Sequence, residues 1–159
     1  MHETAMSLRE ELNQALKTAM KAREERALST IRLILTAIKD RDIAARPKGN
    51  LEGISDQDIL GVLQTMVRQR QEAIKLYEQG GRLELAQKEQ DEIAIIGRFM
   101  PKQLGDDEAR EAIKAIVAEI GAASIKDIGR TMAVLRERYS GRLDFAKAGA
   151  TLKELLGAA

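Results

Sequence analysis

The chain has 159 residues, of which 44% are hydrophobic, 32% charged and 3% aromatic, with 26 Lys plus Arg against 25 Asp plus Glu. This length suits one domain or two small ones, and the apolar content excludes a disordered chain. The absence of cysteine excludes disulfides, thiolate metal sites and cysteine nucleophiles, and His2 has no second histidine to complete a metal-binding set. The net charge of +1 excludes nucleic-acid binding by overall charge, so such binding needs a local basic surface.

The first residues are polar and acidic, and they lack an apolar run of signal-peptide length. No stretch approaches the roughly 18 apolar residues that a membrane span requires. We therefore expect a cytoplasmic protein without membrane contact. Met1 and Met6 both fit as the natural start.

Apolar residues recur at helical spacing almost throughout, which predicts an all-α fold. Ser7, followed by Glu10, predicts the start of a first helix. Its apolar positions are Leu8, Leu12, Leu16 and Met20. A second helix over 25–45 has a stripe wide enough for burial on more than one side, formed by Leu28, Ile31, Leu33, Ile34, Leu35 and Ile38. Pro47 and two glycines predict a loop over 46–53.

Ser55, followed by Asp58, predicts the start of a third helix, which should end at the Gln79-Gly80-Gly81 turn. Its apolar positions are Ile59, Leu63, Met66 and Ile74. A fourth helix is predicted over 83–99, with Leu85, Ala86, Ile93, Ile96 and Phe99 as its apolar residues. Its acidic residues Glu89, Asp91 and Glu92 could act as paired carboxylates or hold Mg²⁺. The favoured interpretation is that Glu89 and Glu92 form ion pairs with basic residues of an antiparallel third helix, which are Arg68, Arg70 or Lys75.

Pro101 marks the predicted division between an N-terminal helical bundle-like domain, residues 1–100, and a small three-helix C-terminal domain, residues 101–159. The three helices are predicted over 107–120, 124–139 and 144–156. Gly121 and Gly141 suit helix ends that need a positive φ, whereas Ser124 and Asp144 suit N-caps. A domain of this size has a marginal core, so we expect it to be mobile relative to the first.

The residues argue against catalysis by this chain alone. Serine hydrolase chemistry needs a base that the chain does not offer, and the segment 79–82 lacks the spacing and the preceding strand of a phosphate-binding loop. We therefore expect no catalytic residue, no cofactor and no metal.

Basic residues concentrate between Ser124 and Arg142, where five of them stand against two acidic ones. The five are Lys126, Arg130, Arg136, Arg138 and Arg142. Such a patch suits phosphate groups, although arginines near a helix C-terminus also complement the macrodipole. A second basic run is Lys17, Lys21, Arg23, Arg26 and Arg32, whose charge we expect intrahelical pairs to absorb.

Aromatic residues are too few and scattered to form a stacking platform for single strands. They are Tyr77, Phe99, Tyr139 and Phe145. An RNA ligand is therefore expected to be a folded one, recognised by its backbone and shape.

Five segments in order resemble the YqeY-like family: GRLELAQKE at 81–89, EI at 92–93, RFMPKQL at 98–104, KDIGRTM at 126–132 and GRLD at 141–144. Arg32 with residues 37–39 fits the family's N-terminal helix pair. The resemblance covers nearly the whole chain from Met6 onward. Ile128 stands where the family usually has methionine.

The resemblance implies an all-helical protein related to the tail of GatB, the subunit of a tRNA-dependent amidotransferase whose tail helps to hold tRNA. The family label is carbon-nitrogen ligase activity with glutamine as amido-N-donor, but the catalytic body of GatB and the glutaminase subunit have no counterpart in these residues. The positions that match the motif near the expected tRNA face are Lys126, Gly129, Arg130, Gly141 and Arg142. Gly129 permits close approach of an RNA backbone or of a neighbouring helix, and the helix is slightly favoured.

The leading hypothesis from the sequence is a non-catalytic tRNA-binding accessory protein of translation. The alternative is a protein-interaction module that docks an aminoacyl-tRNA synthetase or an amidotransferase. A self-sufficient amidotransferase is the third and least favoured hypothesis.

Overall fold

The computed structural model describes residues 6–157, and these residues contain seven α-helices, two short 3-10 turns and no strand. The helices are α1 (Leu8–Ala22), α2 (Glu25–Ala45), α3 (Asp56–Gln79), α4 (Leu83–Gly97), α5 (Asp106–Ile120), α6 (Ile128–Arg138) and α7 (Phe145–Gly157). The 3-10 turns are Arg46–Lys48 and Ile125–Asp127. The all-α prediction is confirmed. His2 and Met1 lie outside the described residues.

The described residues pack into two compact units that divide between Met100 and Pro101. The first unit holds α1 to α4 and the second holds α5 to α7, and each has its own buried apolar side chains. That each unit is an independent domain stays a prediction. None of the described helices is long and apolar enough to cross a bilayer.

The core of the first unit draws on all four of its helices. Its largest fully buried apolar side chains are Leu12, Ile34, Ile38, Ile59, Leu63 and Ile96. Burial of α2 on more than one side is confirmed, since α2 packs against α1, α3 and α4. The core positions predicted at Met20 and Leu33 are wrong, because these side chains are 51% and 47% exposed. Ala19 takes the place of Met20 and packs with Ala27 and Ile31 of α2.

The predicted starts of α1 and α3 are confirmed by their caps. Ser7 Oγ accepts a hydrogen bond from the Glu10 amide, and Ser55 Oγ accepts one from the Asp58 amide, each at 3.2 Å. Helix α4 ends at Gly97, two residues before its predicted end, and the chain turns over 98–100. This turn lets Phe99 pack against the apolar side chains of the first unit although it lies outside the helix.

A network around Arg9 fixes the loop between α2 and α3. The Arg9 guanidinium donates two hydrogen bonds to the Asp42 carboxylate, at 2.9 and 3.0 Å, and a third to the Ile54 carbonyl at 3.3 Å. Asp42 also accepts from the Ile54 amide at 2.8 Å. Arg9 lowers the pKa of Asp42, and Asp42 raises that of Arg9. Gly53 lies against this pair with a φ of +101°.

Helices α3 and α4 form a hairpin held by an arginine between them. Arg70 Nε donates to Glu92 at 2.8 Å and lies 3.8 Å from Glu89, while Arg70 Nη1 donates to the Met66 carbonyl at 3.1 Å. The interhelical ion pair is therefore confirmed with Arg70 as the basic partner. The turn between the helices is also confirmed as a helix end, because Gly81 has a φ of +71°.

The second unit packs its three helices around a small core. Its fully buried apolar side chains include Ile113, Leu135 and Leu152. Gly121 ends α5 with a φ of +67°, as predicted. Gly141 also has a positive φ, +74°, but it lies in the turn three residues beyond the end of α6, whose C-cap is Tyr139. Asp144 caps α7 by accepting from the Ala146 and Lys147 amides, at 3.0 and 3.2 Å. Helix α6 begins at Ile128, four residues after the predicted start, because a 3-10 turn occupies 125–127.

Candidate nucleic-acid interface

The start of α6 is built on the carboxylate of Asp127. This carboxylate accepts hydrogen bonds from the Ala123 amide at 2.8 Å and from the Ser124 amide at 3.2 Å. These bonds, with a contribution from Arg130, lower the pKa of Asp127. The segment before α6 is therefore tied to the helix that carries most of the predicted site residues.

Arg130 joins this turn to the end of the preceding helix. Its Nη1 donates to the Ile120 carbonyl at 2.9 Å, and its Nη2 donates to Asp127 at 3.1 Å. The Ile120 carbonyl is one of the last carbonyls of α5, which have no partner within the helix. The Arg130 side chain is about half exposed, so the residue that makes this internal contact is also accessible to solvent.

Arg138 is bound to a carboxylate of another helix. Its two Nη atoms donate to Glu119 of α5 at 2.5 and 2.6 Å, a bidentate pair that lowers the pKa of Glu119 and raises that of Arg138. The guanidinium fork that would suit a phosphate is thus already occupied. The pair therefore reduces the positive potential predicted from the five basic and two acidic residues of 124–142.

Gly141 and Arg142 hold the segment that enters the second unit. The Arg142 Nε donates to the Lys102 carbonyl at 3.1 Å, and the Arg142 carbonyl accepts from the Leu104 amide at 2.9 Å. Gln103 donates to the carbonyl of Gly141, which is buried. Two segments of the family-like pattern, 101–104 and 141–142, therefore contact each other inside this unit.

Arginines also cover two of the four aromatic rings. The Arg136 guanidinium carbon lies 5.7 Å from the centre of the Phe145 ring, and that of Arg142 lies 5.9 Å from the Tyr139 ring. These distances are within the range of cation–π contacts. Both rings are partly buried, in keeping with the prediction that they do not offer platforms to bases.

Within residues 6–157, neither Lys126 nor a side chain added at Gly129 has such an internal partner. Both residues are exposed, and among residues 6–157 no carboxylate lies within 4.0 Å of the Lys126 ammonium. A Cβ added to Gly129 would meet nothing within 4 Å. The interpretation of Gly129 as a contact with a neighbouring helix is therefore wrong within this part of the chain.

Exposed residues recur along one side of α6 and in the turn before it. We call this set the α6 surface, and its residues are Lys126, Gly129, Arg130, Ala133 and Arg136. Gly129, Arg130, Ala133 and Arg136 follow one another at spacings of one or three residues, so they share a side of α6. Lys126 lies in the 3-10 turn that precedes the helix. The structure places four of the predicted site residues, Lys126, Gly129, Arg130 and Arg136, on this surface together with Ala133. Arg130 and Arg136 also make the internal contacts described above, as do Arg138, Gly141 and Arg142, which are not part of the surface.

Several cations of the first unit lack the intrahelical ion pairs that the sequence predicts. Among the described residues, no ion pair within 4.0 Å involves Lys17, Lys21, Arg23 or Arg32, and Arg26 pairs with Asp91 of α4. The expectation that intrahelical pairs absorb this charge is wrong. The pairing of Arg26 was hidden from the sequence because its partner is 65 residues away.

A shallow cleft of the first unit lies between the start of α2 and α4. Its lining residues are Glu24, Glu25, Arg26, Ala27, Asp91, Ala94, Ile95 and Arg98. The ion pair between Arg26 and Asp91 lies in this cleft, so the two charges satisfy each other. Residues 6–157 contain no group of three or more histidine or carboxylate side chains arranged to hold a metal ion.

These features define an all-α protein with a basic surface on its second unit. The chain belongs to the YqeY-like family, because the sequence model described as Yqey-like protein matches residues 9–156. The recognition made from the sequence motifs is confirmed.

Three curated proteins illustrate what the chain is similar to. An uncharacterized protein of Schizosaccharomyces pombe is 29% identical over 91 residues, which cover 57% of this chain and 70% of that protein. "Altered inheritance of mitochondria protein 41, mitochondrial" of Eremothecium gossypii is 39% identical over 89 residues, 56% of this chain and 46% of that protein. The protein of the same name from Vanderwaltozyma polyspora is 25% identical over 124 residues, 74% of this chain and 64% of that protein. The chain thus spans less than two thirds of these two mitochondrial relatives.

Proposed function

We propose that this protein is a tRNA-binding accessory protein related to the tRNA-dependent amidotransferase and not catalytic by itself. The α6 surface is the contact with folded RNA. The observation that carries the proposal is the open space over Gly129, which lies between the exposed cations Lys126 and Arg130. A backbone without a side chain lets a phosphate approach closely while both cations reach its oxygens.

The geometry favours contacts to phosphates over contacts to bases. The rings of Phe145 and Tyr139 are covered by arginines, so bases find no free stacking surface on them. Contacts to the backbone position a folded RNA without reading its sequence. This supports binding to the shape shared by tRNAs.

The clean test of the α6 surface is Lys126→Gln. Its side chain has no ion pair among the described residues, so the change should leave the fold intact. Loss of one phosphate contact should weaken tRNA binding about five- to tenfold at 0.1 M salt and reduce the slope of log K against log salt by about one. Lys114→Gln on α5 is the matched control, since it removes the same charge from an exposed pair with Glu111. Equal binding by all three proteins would remove the assignment.

Gly129→Ala provides a second test that separates binding from folding. Because nothing lies within 4 Å of the added Cβ, the helix should be as stable as the wild type or more stable. The methyl group should nevertheless weaken tRNA binding by preventing close approach of the backbone. Gly149→Ala in α7 is the control, because its Cβ also meets nothing within 4 Å and it lies outside the α6 surface. Unchanged tRNA affinity for Gly129→Ala would contradict the contact.

A protein-docking function is the second candidate, supported by the end of the α3–α4 hairpin. Leu76 and Leu83 are 68% and 66% exposed there, within one turn of the glycine turn that joins the helices. Such side chains suit the docking of an aminoacyl-tRNA synthetase or an amidotransferase. A pull-down of such a partner that resists RNase and is lost in Leu76→Ser/Leu83→Ser would favour this candidate over RNA binding.

Two parts of the proposal have separate tests. Ammonia release from glutamine by the purified chain, with ATP and charged tRNA, would show that the family label of carbon-nitrogen ligase applies to the chain alone. We also propose a cytoplasmic location. Two of the relatives carry the description mitochondrial, so cell fractionation is the test of this location. Finding the protein in an organelle would overturn the proposed location and leave the proposed RNA binding unaffected.

A further inference from the structure

The exposed face of α2 carries a regular row of cations. Arg32, Lys39 and Arg46 are spaced by seven residues, and all three are exposed. Seven residues are close to two helical turns, so the three side chains lie on one side of the helix and of the residue that follows it. Successive members are about 10 Å apart along the axis. The row therefore extends over about 20 Å.

These cations are not neutralised by neighbouring carboxylates. Among residues 6–157, no carboxylate oxygen lies within 4.0 Å of the charged nitrogens of Arg32, Lys39 or Arg46. The nearby Asp42 is bound by Arg9 and by the Ile54 amide, and Arg46 contributes only at longer range to lowering its pKa. The other acidic residue between positions 32 and 46 is Asp40, which lies about a quarter of a turn around the helix axis from Lys39.

The surroundings of the row favour a nucleic-acid backbone over a lipid surface. An interfacial helix needs a broad apolar face, but the apolar face of α2 is buried in the core of the first unit. Among the described residues of α2, the large apolar side chains that are exposed beside the row are Leu33 and Ile43, each about half exposed. A nucleic-acid duplex, by contrast, presents phosphates far more closely than every 10 Å along its axis, so each cation of the row can meet one.

We propose that the row formed by Arg32, Lys39 and Arg46 binds the sugar–phosphate backbone of RNA without reading its sequence. The proposal deepens the function proposed above and rests on it for the identity of the ligand. It gives the first unit an RNA contact of its own, additional to the α6 surface of the second unit.

The test is a tRNA titration across ionic strengths on the full chain with Arg32→Gln and Lys39→Gln, alone and combined. Each lost phosphate contact should reduce the salt slope by about 0.9 and the affinity at 0.1 M salt by five- to tenfold, and the double variant should lose roughly 50-fold. Lys88→Gln, an exposed lysine on α4 of the same unit, is the matched control and should bind as the wild type. Circular dichroism and the urea midpoint check that every variant is folded.

The variant Lys126→Gln in the same titration separates this proposal from the proposed function. If the α2 variants and Lys126→Gln all weaken binding, both contacts are supported. If only Lys126→Gln weakens it, the α2 proposal is overturned and the proposed function stands. If only the α2 variants weaken it, the α2 proposal stands and the α6 surface is not the contact. Binding of the wild type to anionic vesicles but not to tRNA, or equal tRNA affinity for all variants, would overturn the α2 proposal.

Discussion

Gly53→Ala should destabilise the first unit through the network that fixes the α2–α3 loop. The φ of +101° at Gly53 lies in a region that side chains disfavour. A Cβ added there would lie 2.8 Å from Arg9 Nη2 and 3.2 Å from Asp42 Oδ1. The substitution therefore strains the backbone and also forces the guanidinium away from its carboxylate.

The magnitude follows from these two effects. Backbone strain of this kind costs about 1–3 kcal/mol. Displacing Arg9 from its partly buried hydrogen bonds costs roughly 1 kcal/mol more, a value discounted for the 35% exposure of its side chain. The reduced freedom of alanine in the unfolded chain offsets about 0.4–1 kcal/mol. The free energy of unfolding should therefore fall by about 2 kcal/mol.

Urea unfolding followed by circular dichroism measures this loss, which should lower the midpoint by roughly 1 M. Gly61→Ala is the control, because Gly61 lies inside α3, has nothing within 4 Å of an added Cβ, and should gain about 0.5–1 kcal/mol. If Gly53→Ala unfolds at the wild-type midpoint, the loop is not held by the Arg9 network and the reasoning fails.

Three further predictions concern stability. Arg70→Met should cost about 2–3 kcal/mol because it leaves Glu92, 8% exposed, without its partner, and Arg70→Met/Glu92→Leu should recover much of this loss in the same urea assay. Because the pKa of Asp42 is lowered in the folded state, the ionised carboxylate should stabilise the fold fully above about pH 5, and this stabilisation should be lost as the pH falls below about 4. Thermal melts of Asp42→Asn should therefore depend less on acid pH than those of the wild type. Residues 1–100 and 101–159 expressed separately should each show a cooperative thermal transition, and a non-cooperative melt of either would contradict the two-domain prediction.

The helices could be predicted from the sequence wherever a local signal marks their ends. Ser7 and Ser55 cap α1 and α3 by accepting a hydrogen bond from the amide three residues later, and Gly121 adopts the positive φ at the end of α5. A few neighbouring residues therefore determine each of these boundaries. The end of α4 lacks such a signal, because Gly97 has an ordinary φ and Phe99 keeps the apolar spacing. In the structure the chain turns over 98–100, and within this turn the Phe99 ring packs against apolar side chains of the first unit.

The side of a helix that faces the core was less predictable than the helix itself. The apolar spacing of α1 includes Met20, but the structure buries Ala19 and leaves Met20 about half exposed. The periodicity sets the direction of a stripe only to within about one residue, roughly 100° around the axis. Which edge of the stripe is covered depends on the neighbouring helix, and here the small side chains of Ala19 and Ala27 pack together in one cluster.

The availability of each cation could not be predicted from the sequence, because the groups that engage it lie far along the chain. Residues 25–48 contain six basic and three acidic residues, and residues 124–142 contain five and two, so both segments have a formal charge of +3. Glu119 binds both Nη atoms of Arg138 from outside the second segment, whereas no carboxylate within the described residues does the same for Lys39.

Equal formal charge therefore gives unequal capacity to bind phosphate. A phosphate that contacts Arg138 must displace Glu119 from a bidentate pair, whereas a phosphate that contacts Lys39 displaces only water and counterions. Two of the family-like motifs, KDIGRTM and GRLD, lie in the second unit, but their arginines also make internal contacts, as Arg142 does with the Lys102 carbonyl. Loss of function on replacing such an arginine would not distinguish a binding role from a structural one. Arg32, Lys39 and Lys126 have no ion pair within the described residues, so replacing them removes a surface charge without breaking such a pair. They are the positions at which the RNA-binding proposal can be tested separately from folding.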